Sequence, residues 1–501
     1  MLWLNCNIKS IVKVSCNSST SNVSMTFAVE NGIIDFPPVL PNDGKYVQWI
    51  FLQTNDVYEL LPLNKGENGG LARVAHIRDL LLKENPNTIA ILAGDLVSPS
   101  ALGTVKINGT TLHGKQMIST MNALGLDYMT FGNHEFDLTE EELLTRMNES
   151  AFTWISSNVF RVDTSLPFGL SVSHKIITID GVKILLIGLT INETVGYVRI
   201  VDQLSLSSYT KQFLTSFAND TYDVVVAIIH LDLQTDIDIA TSIPQIDLIL
   251  GGHEHENSYN LRGTKLVPIA KADSNAFTVY IHRCAFNLGT KQRRTYSTLA
   301  KVSSQVAEQE KTATTANYWF NLGVKGLQLL GYEPLQTVSC LPDGVQLDGR
   351  YQSVTTSNTL LTEAICESLI KATEPFATTV GLLNGGTIAQ YDILRTLPFP
   401  NTVVALAVPS QILAQVLTDG MSAKDIGLFI DYTGVQTPDQ GSTWLINGVN
   451  INTDDLTYRV ATTDYLRNNT KLNSTLVTFL KQTDQTQTKI FIDYMKIKYP
   501  C

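Results

Sequence analysis

Five short polar clusters hold the residue types that could do chemistry. They are Asn55, Asp56, Tyr58 and Glu59; Gly94 and Asp95; the run Gly132-Asn133-His134-Glu135-Phe136-Asp137; His230; and the run Gly251-Gly252-His253-Glu254-His255. Carboxylates, imidazoles and an amide oxygen are ligands for Zn, Mn or Fe ions. A carboxylate shared by two ions roughly 3.5–4 Å apart gives the geometry of two-metal phosphoester hydrolysis. Glycines beside Asp95, Asn133 and His253 let the backbone turn sharply there. A lone histidine more often serves packing or the surface, and His76, His113, His174 and His282 are read that way. Several ligand types recurring in five clusters are read as one site.

Each cluster closes a strand-like apolar run. The runs cover 47–53, 88–93, 128–131, 224–229 and 246–250, with a further run at 183–188, and helix-like stretches such as 71–83 and 114–123 lie between them. This alternation predicts a layered α/β domain with both sheet faces covered. Ligands in such folds bind beyond the carboxyl ends of the strands, so the clusters should converge on one crevice.

The 501 residues exceed one ordinary core, and two domains are expected. Apolar content of 44% and charged content of 17% describe a well-packed soluble chain rather than a disordered one. A net charge of -11 with no long basic run makes nucleic acid polymers and anionic membranes poor partners. A phosphate substrate would then need local cations, for which bound metal ions are the obvious source. No apolar run is long enough to span a bilayer, and residues 1–14 do not read as a good signal peptide. Sequons at Asn17, Asn22, Asn108, Asn148, Asn192, Asn219, Asn468 and Asn473 fit a secreted glycoprotein, and equally fit chance in a Ser/Thr/Asn-rich chain. The six cysteines form no C-x-x-C, and their pairing cannot be read from spacing.

Residues 1–44 lack periodicity and are expected to be a poorly ordered arm. The layered domain is placed at 45–298 and a linker helix at 299–335, from the helix-like texture of 301–330. A second α/β region is placed at 336–501, beginning with a Pro/Gly-containing stretch at 336–351.

Gly94-Asp95, Gly132-Asn133-His134-Glu135, the strand-end His230 and Gly252-His253-Glu254-His255, in this order, resemble the signature of the calcineurin-like metallophosphoesterases. Phe136-Asp137 and motifs of the second region narrow the resemblance to the 5′-nucleotidase family, over about residues 46–490. It implies a four-layer α/β/β/α sandwich followed by a smaller α/β substrate-binding domain. It implies two divalent or transition metal ions (Zn, Mn or Fe), one held by Asp56, Asp95 and His255. Asp95, Asn133, His230 and His253 would hold the other, with Asp95 bridging. His134 would stabilise the transition state, Asp137 would orient its ring, and a metal-activated water or hydroxide would attack phosphorus. The family's first motif is D-x-H, whereas this chain has Asp56-Val57-Tyr58. Tyr58 is either a phenolate ligand favouring a hard ion such as Fe³⁺ or a bystander or weak ligand, the reading favoured here. Glu59 is expected to be a solvated surface acid.

In the second region Leu383-Asn384-Gly385-Gly386, Leu397-Pro398-Phe399-Pro400-Asn401 and the stretch from Tyr458 to Leu466 match family motifs. By that resemblance Asn384 and Gly385 line the substrate site, and Phe399 and Tyr465 sandwich a nucleobase by stacking. Two family arginines are missing. Thr387-Ile388-Ala389 follows the Asn-Gly-Gly run without one, and the upstream position falls at Ser357 or Asn358. Arg350, Arg395 and Arg467 are candidate substitutes. The leading expectation is hydrolysis of nucleotides. The alternatives are a nucleotide sugar, cyclic nucleotide or non-nucleotide ester as substrate, and a degenerate homologue that binds nucleotide without turnover.

Overall fold

The computed structural model describes residues 28–29 and 38–501, apart from 165, 194, 219–220, 343–344, 346, 350, 355, 384–392, 395 and 424–428. Most of the expected arm at 1–44 therefore lies outside the described residues, as do Asn384, Gly385, Arg350 and Arg395. The chain divides into two compact units, Met1–Gly323 and Val324–Cys501, and the helix Glu310–Leu329 runs through the point of division. The helix starts later than the sequence texture implies. Residues 293–301 form a strand instead, paired along its length with Thr278–Asn287.

The first unit stacks two sheets between two helix layers, the four-layer sandwich expected. One sheet has seven strands and carries the parallel run Tyr46–Thr54, Thr88–Ala93 and Tyr128–Thr130. The other has six and carries the parallel run Val182–Thr190, Val224–His230, Leu248–Gly251 and Val267–Lys271. Strands buried on both faces read as continuous apolar runs, and Val224–His230 shows why. Val224, Val226 and Ile228 join Phe51, Ile91, Ile184 and Leu250 in the core between the sheets. Val225, Ala227 and Ile229 face the other way, into a core with Leu206, Leu214 and Ile239 of the helices Gln203–Thr215 and Leu233–Ser242. Alternate residues of a strand point to opposite faces, so one strand serves both cores.

The helices start and stop on local signals. Thr139 caps Glu140–Glu149 through a capping box with Glu142, and Asp232 caps Leu233–Ser242 by accepting from Thr235 N. The helix Lys115–Leu124 ends on Gly125 at φ 85°, the left-handed conformation that glycine adopts without a Cβ clash.

The second unit has a five-stranded sheet in the order Asp431–Thr433, Val380–Leu383, Thr457–Thr463, Thr402–Pro409, Thr478–Thr486. Ser410–Ser422 packs against one apolar cluster, and Leu360–Ala372 and Gln487–Lys498 share another. A disulfide joins Cys340 to Cys501, a pairing that spacing alone did not give. Cys284 and Cys366 are buried free thiols. Among the described residues, no helix is long and apolar enough to cross a membrane.

Candidate metal centre

Register brings the polar clusters together. Within the first sheet, Thr54 pairs with Leu92 and Ala93 with Thr130. Within the second, Thr190 pairs with His230, Ile229 with Gly251, and Gly251 with Lys271. All these strands run parallel and end on one level. Hydrogen bonds then join the two sheets at that level. His230 Nδ1 meets Ala93 O at 2.8 Å, Thr190 Oγ1 donates to Phe131 O at 2.8 Å, and Gln53 Nε2 donates to Gly251 O at 3.0 Å.

The turns beyond the strand ends carry the ligand candidates in strained backbone. Asp56, Asp95, His253 and His255 all have positive φ, of 52°, 60°, 94° and 61°. Such conformations cost of order 1–3 kcal/mol each, and they persist only where the surroundings over-determine them. Here the turns interlock. Asp56 N donates to Gly94 O, Val57 N to Asp95 O, and Asn275 N to Asp56 O. Side chains at Gly94, Gly132 or Gly252 would collide with the site, since a Cβ would lie 2.5 Å from His230 Nδ1, 2.0 Å from Asp95 Oδ1 and 2.4 Å from Ala93 O respectively.

The donor atoms converge. One ligand atom each of Asp56, Asp95 and His230, all buried, lie within 4.8 Å of one another. His230 Nε2 is 3.3 Å from Asp95 Oδ2 and 3.9 Å from Asp56 Oδ1, and His255 Nε2 is 3.3 Å from Asp56 Oδ1. The His253 ring lies 5.2 Å from that of His230, and its backbone N–H donates to Asp56 Oδ2 at 2.9 Å. The Asn133 Oδ1 and His230 Nε2 atoms are buried with no hydrogen-bond partner. Buried polar atoms are rarely left so unless something else satisfies them. The donor set, the two orphaned atoms and the glycine cradle together fit metal ions. His230 Nδ1 is engaged by Ala93 O, which leaves Nε2 as the nitrogen that could meet a metal, the usual outer arrangement of a metal-binding imidazole.

The electrostatics point the same way. Burial disfavours charge on His230, yet Asp95 and Asp56 outweigh it and lift the imidazole to about 10. Burial pushes Asp95 up, but His230 and His134 overcome it and hold the carboxyl below its ordinary range. Two buried carboxylates create a field that calls for positive charge. Tyr58, expected as a bystander or weak ligand, has its hydroxyl inside this cluster. It lies 2.9 Å from Asp95 Oδ2, 3.0 Å from His255 Nε2 and 3.4 Å from Asp56 Oδ1. Burial and then the two aspartates drive its phenol well above 10. Glu59 is not a solvated acid, for only 5% of it is exposed.

His134 stands beside the cluster on a single turn, 134–137, and remains about a third exposed. Its backbone N–H donates to Asp95 Oδ1 at 2.9 Å, and its Nδ1 meets Asp137 Oδ2 at 2.9 Å. Ser98 Oγ donates to the same Asp137 oxygen at 2.7 Å, a contact no sequence motif announced. Burial opposes charge on His134, and Asp95 and Asp137 raise it to about 9.

Glu135 has a role the sequence reading missed. It is fully buried and accepts four backbone N–H groups, from Asp95, Leu96, Val97 and Gly132. One carboxylate thus fixes the turns carrying Asp95 and Asn133 from behind. Burial and Asp95 push it up to about 7 while the backbone donors pull the other way. Asn55 is a second such residue. It bonds both N–H and C=O of Ala272 and donates to Asp56 Oδ2 at 2.7 Å.

In the second unit Phe399 and Tyr465 are 44% and 49% exposed, against a largely buried apolar complement. Asp464 brings their segments together. It accepts from Thr402 N and Thr402 Oγ1, three residues after Phe399, and from the Tyr465 N–H. Asn358, one of the two positions where the resemblance would have an arginine, instead clamps Tyr432 by accepting from its N–H and donating to its carbonyl. Arg467 lies over the Phe479 ring at 5.2 Å.

Residues 50–257 match the family model of calcineurin-like phosphoesterases. The chain is 28% identical over 233 residues to an NAD 5′-nucleotidase of Haemophilus influenzae, covering 43% of this chain and 37% of that protein. It is 23% identical over 495 residues to a trifunctional nucleotide phosphoesterase of Bacillus subtilis, covering 86% of this chain and 32% of that one. The chain thus spans well under half the length of these curated relatives. Among solved structures, a 5′-nucleotidase precursor from Thermus thermophilus superposes with a TM-score of 0.76 at 18% identity, over 90% of this chain and 97% of that one. That likeness establishes a shared fold.

Proposed function

We propose that this chain, which belongs through residues 50–257 to the calcineurin-like phosphoesterases, is a two-metal hydrolase that releases phosphate from nucleotides. The observation that carries the reading is the position of Asp95. It is buried, close to His230 and Tyr58 through one oxygen, and bonded to the His134 backbone through the other. A carboxylate so placed can serve two ions and link them to the residue that meets substrate. Asp56, Asp95 and His255, with Tyr58 beside them, would hold one ion. Asp95, Asn133, His230 and His253 would hold the other. When bound, the ions supply Lewis acidity and an activated water. Zn, Mn and Fe all suit this donor set.

The chain's own residues do the rest. With Nδ1 held by Asp137, the His134 ring presents Nε2 to a phosphoryl oxygen or leaving group, and its charge is favoured by Asp95 and Asp137. Hydrogen bonds placed where charge develops act strongly in a site shielded from water. Phe399 and Tyr465 offer exposed faces for a nucleobase. The names of the relatives support a nucleotide substrate. The missing arginines, and the structural use of Asn358, favour a second reading in which the phosphoester is not a nucleoside monophosphate. Five sequon asparagines, Asn108, Asn148, Asn192, Asn468 and Asn473, are exposed, and with the disulfide this supports a glycosylated, secreted location.

The test is phosphate release from AMP, UMP and bis-p-nitrophenyl phosphate after loading with Zn²⁺, Mn²⁺ or Fe²⁺/³⁺, alongside His134→Ala. Nucleotide hydrolysis that disappears in the variant supports the reading. Hydrolysis of the diester alone moves it to the second substrate class. No release with any metal leaves a nucleotide-binding homologue without turnover.

A further inference from the structure

The last residue of the strand Val267–Lys271 is a lysine with 1% of its surface exposed. Its ammonium donates to Leu231 O at 2.7 Å, lies 2.8 Å from Asp236 Oδ2, and pairs with Glu254 Oε2. The second Glu254 oxygen accepts from Leu233 N at 2.5 Å, at the start of the helix that carries Asp236. A buried ammonium is tolerated only when it is paired and hydrogen-bonded on several sides.

The endpoints of these contacts matter more than their number. Leu231 follows His230. Glu254 sits between His253 and His255. Lys271 precedes Ala272, whose backbone holds Asn55 and through it Asp56. Leu231 and Glu254 thus each adjoin a metal-ligand candidate, and Lys271 adjoins the residue that grips Asp56 through Asn55, while Asp236 ties the cluster to the helix Leu233–Ser242. A strut serving only the core could occupy any inward position of the strand. This one stands at the ligand level, where Lys271 pairs in register with Gly251, and a side chain at 251 would press on it, with a Cβ only 3.0 Å from Lys271 Cε.

We propose that Lys271, with Asp236 and Glu254, is a positioning residue that locks the turn bearing His253 and His255 to the strand end bearing His230, and so sets metal affinity. The inference rests on the two-metal reading above and adds to it a residue outside the ligand set. Outer partners that orient ligands typically change metal affinity about 10–100-fold when removed.

The experiment is titration of the whole metal-free protein with Zn²⁺ and Mn²⁺ in competition with a chromophoric chelator. The wild type is compared with Lys271→Met, Lys271→Gln and Glu254→Gln, and Leu186→Ala serves as a control destabilised in the core between the sheets. Thermal unfolding is recorded for each. Lys271→Met is expected to bind metal about 10–100-fold more weakly. Lys271→Gln, which keeps a donor for Leu231 O, should fall between it and wild type. Glu254→Gln can keep the acceptor for Leu233 N but turns an NH₂ group toward the Lys271 ammonium, so it breaks that pair with Lys271 in place and reports on the lock even if Lys271→Met does not fold. Leu186→Ala should lose thermal stability with unchanged affinity. Wild-type affinity in both Lys271→Gln and Glu254→Gln overturns the proposal, as does an equal loss of affinity in Leu186→Ala. A wild type that binds no metal refutes the two-metal reading itself. A wild type that binds metal but hydrolyses no nucleotide refutes the substrate and leaves the lock standing.

Discussion

The Tyr58 hydroxyl lies 2.9 Å from Asp95 Oδ2, closer than any imidazole nitrogen comes to that carboxylate oxygen among the described contacts. The phenol is buried and stays protonated well above neutrality, so it donates to Asp95. It stands where the resemblance would have a histidine.

Replacing Tyr58 by histidine should therefore add a ligand where a hydrogen bond now stands. Tyr58→His is expected to tighten binding of an ion at Asp56 and His255 by about tenfold or more, since even residues that only orient ligands change metal affinity about 10–100-fold. Tyr58→Phe should lose the bond to a charged acceptor, worth about 1.5–3 kcal/mol, from apo stability. Calorimetric metal titration and thermal unfolding read the two effects. Identical metal affinity in Tyr58→His and wild type would rule out this position as a ligand site.

Glu135→Gln should cost on the order of 3 kcal/mol in unfolding free energy. The amide can accept through one atom only, and its NH₂ would confront backbone N–H groups that now bond to a carboxylate. Urea unfolding measures it. A loss below about 0.5 kcal/mol, the ordinary range for surface changes, would show that the four bonds are not needed.

Asp431 makes stability depend on pH. It is buried at the head of the strand Asp431–Thr433, and burial raises it from 3.8 to about 8, with Thr362 opposing and Glu363 assisting. The folded chain keeps a proton that the unfolded chain gives up above about pH 4. The contribution is complete below that value and is lost as pH rises through 8. Calorimetry of the whole chain should show a transition falling between pH 5 and pH 9 by on the order of 3 kcal/mol. Asp431→Asn should flatten it. A transition with the same pH slope in both proteins would place the proton elsewhere.

Phe399→Ala and Tyr465→Ala should each raise KM for a nucleotide, by about 1–3 kcal/mol per stacking face, or roughly 5–150-fold. Turnover of bis-p-nitrophenyl phosphate should not change, because the candidate metal centre is untouched. Steady-state kinetics on both substrates separate the effects. Equal losses on both would mean that the aromatics support the fold rather than a base.

Much of the site was legible because strand-end clusters are local. Asp56, Asp95, Asn133, His230, His253 and His255 each follow an apolar run, and the α/β rule alone predicts that such positions converge. What lies behind them was not legible. Glu135 was visible only as a letter in a motif, since its four partners come from two separate turns. Lys271 sits in a short Ala-Lys-Ala context that reads as surface, and its burial depends on Asp236 and Glu254 arriving from other elements. Glu59 reads as a solvated acid for the same reason, because a charged residue in a turn is usually exposed unless the fold closes over it, as it does here. The cysteine pairing needed the second unit folded before Cys340 and Cys501 could be seen to meet.

The alternation along Val224–His230 has a consequence for how this chain can vary in length. His230 has the same parity as Val224, Val226 and Ile228, which face the space between the sheets, so its imidazole faces there too. Thr190 ends its own strand in phase with Val182, Ile184 and Leu186 and likewise reaches across to Phe131. Removing or adding one residue within either strand would turn the terminal side chain toward the helix layer. Single-residue deletions should thus be forbidden within 224–230, where counting, rather than composition, aims the imidazole.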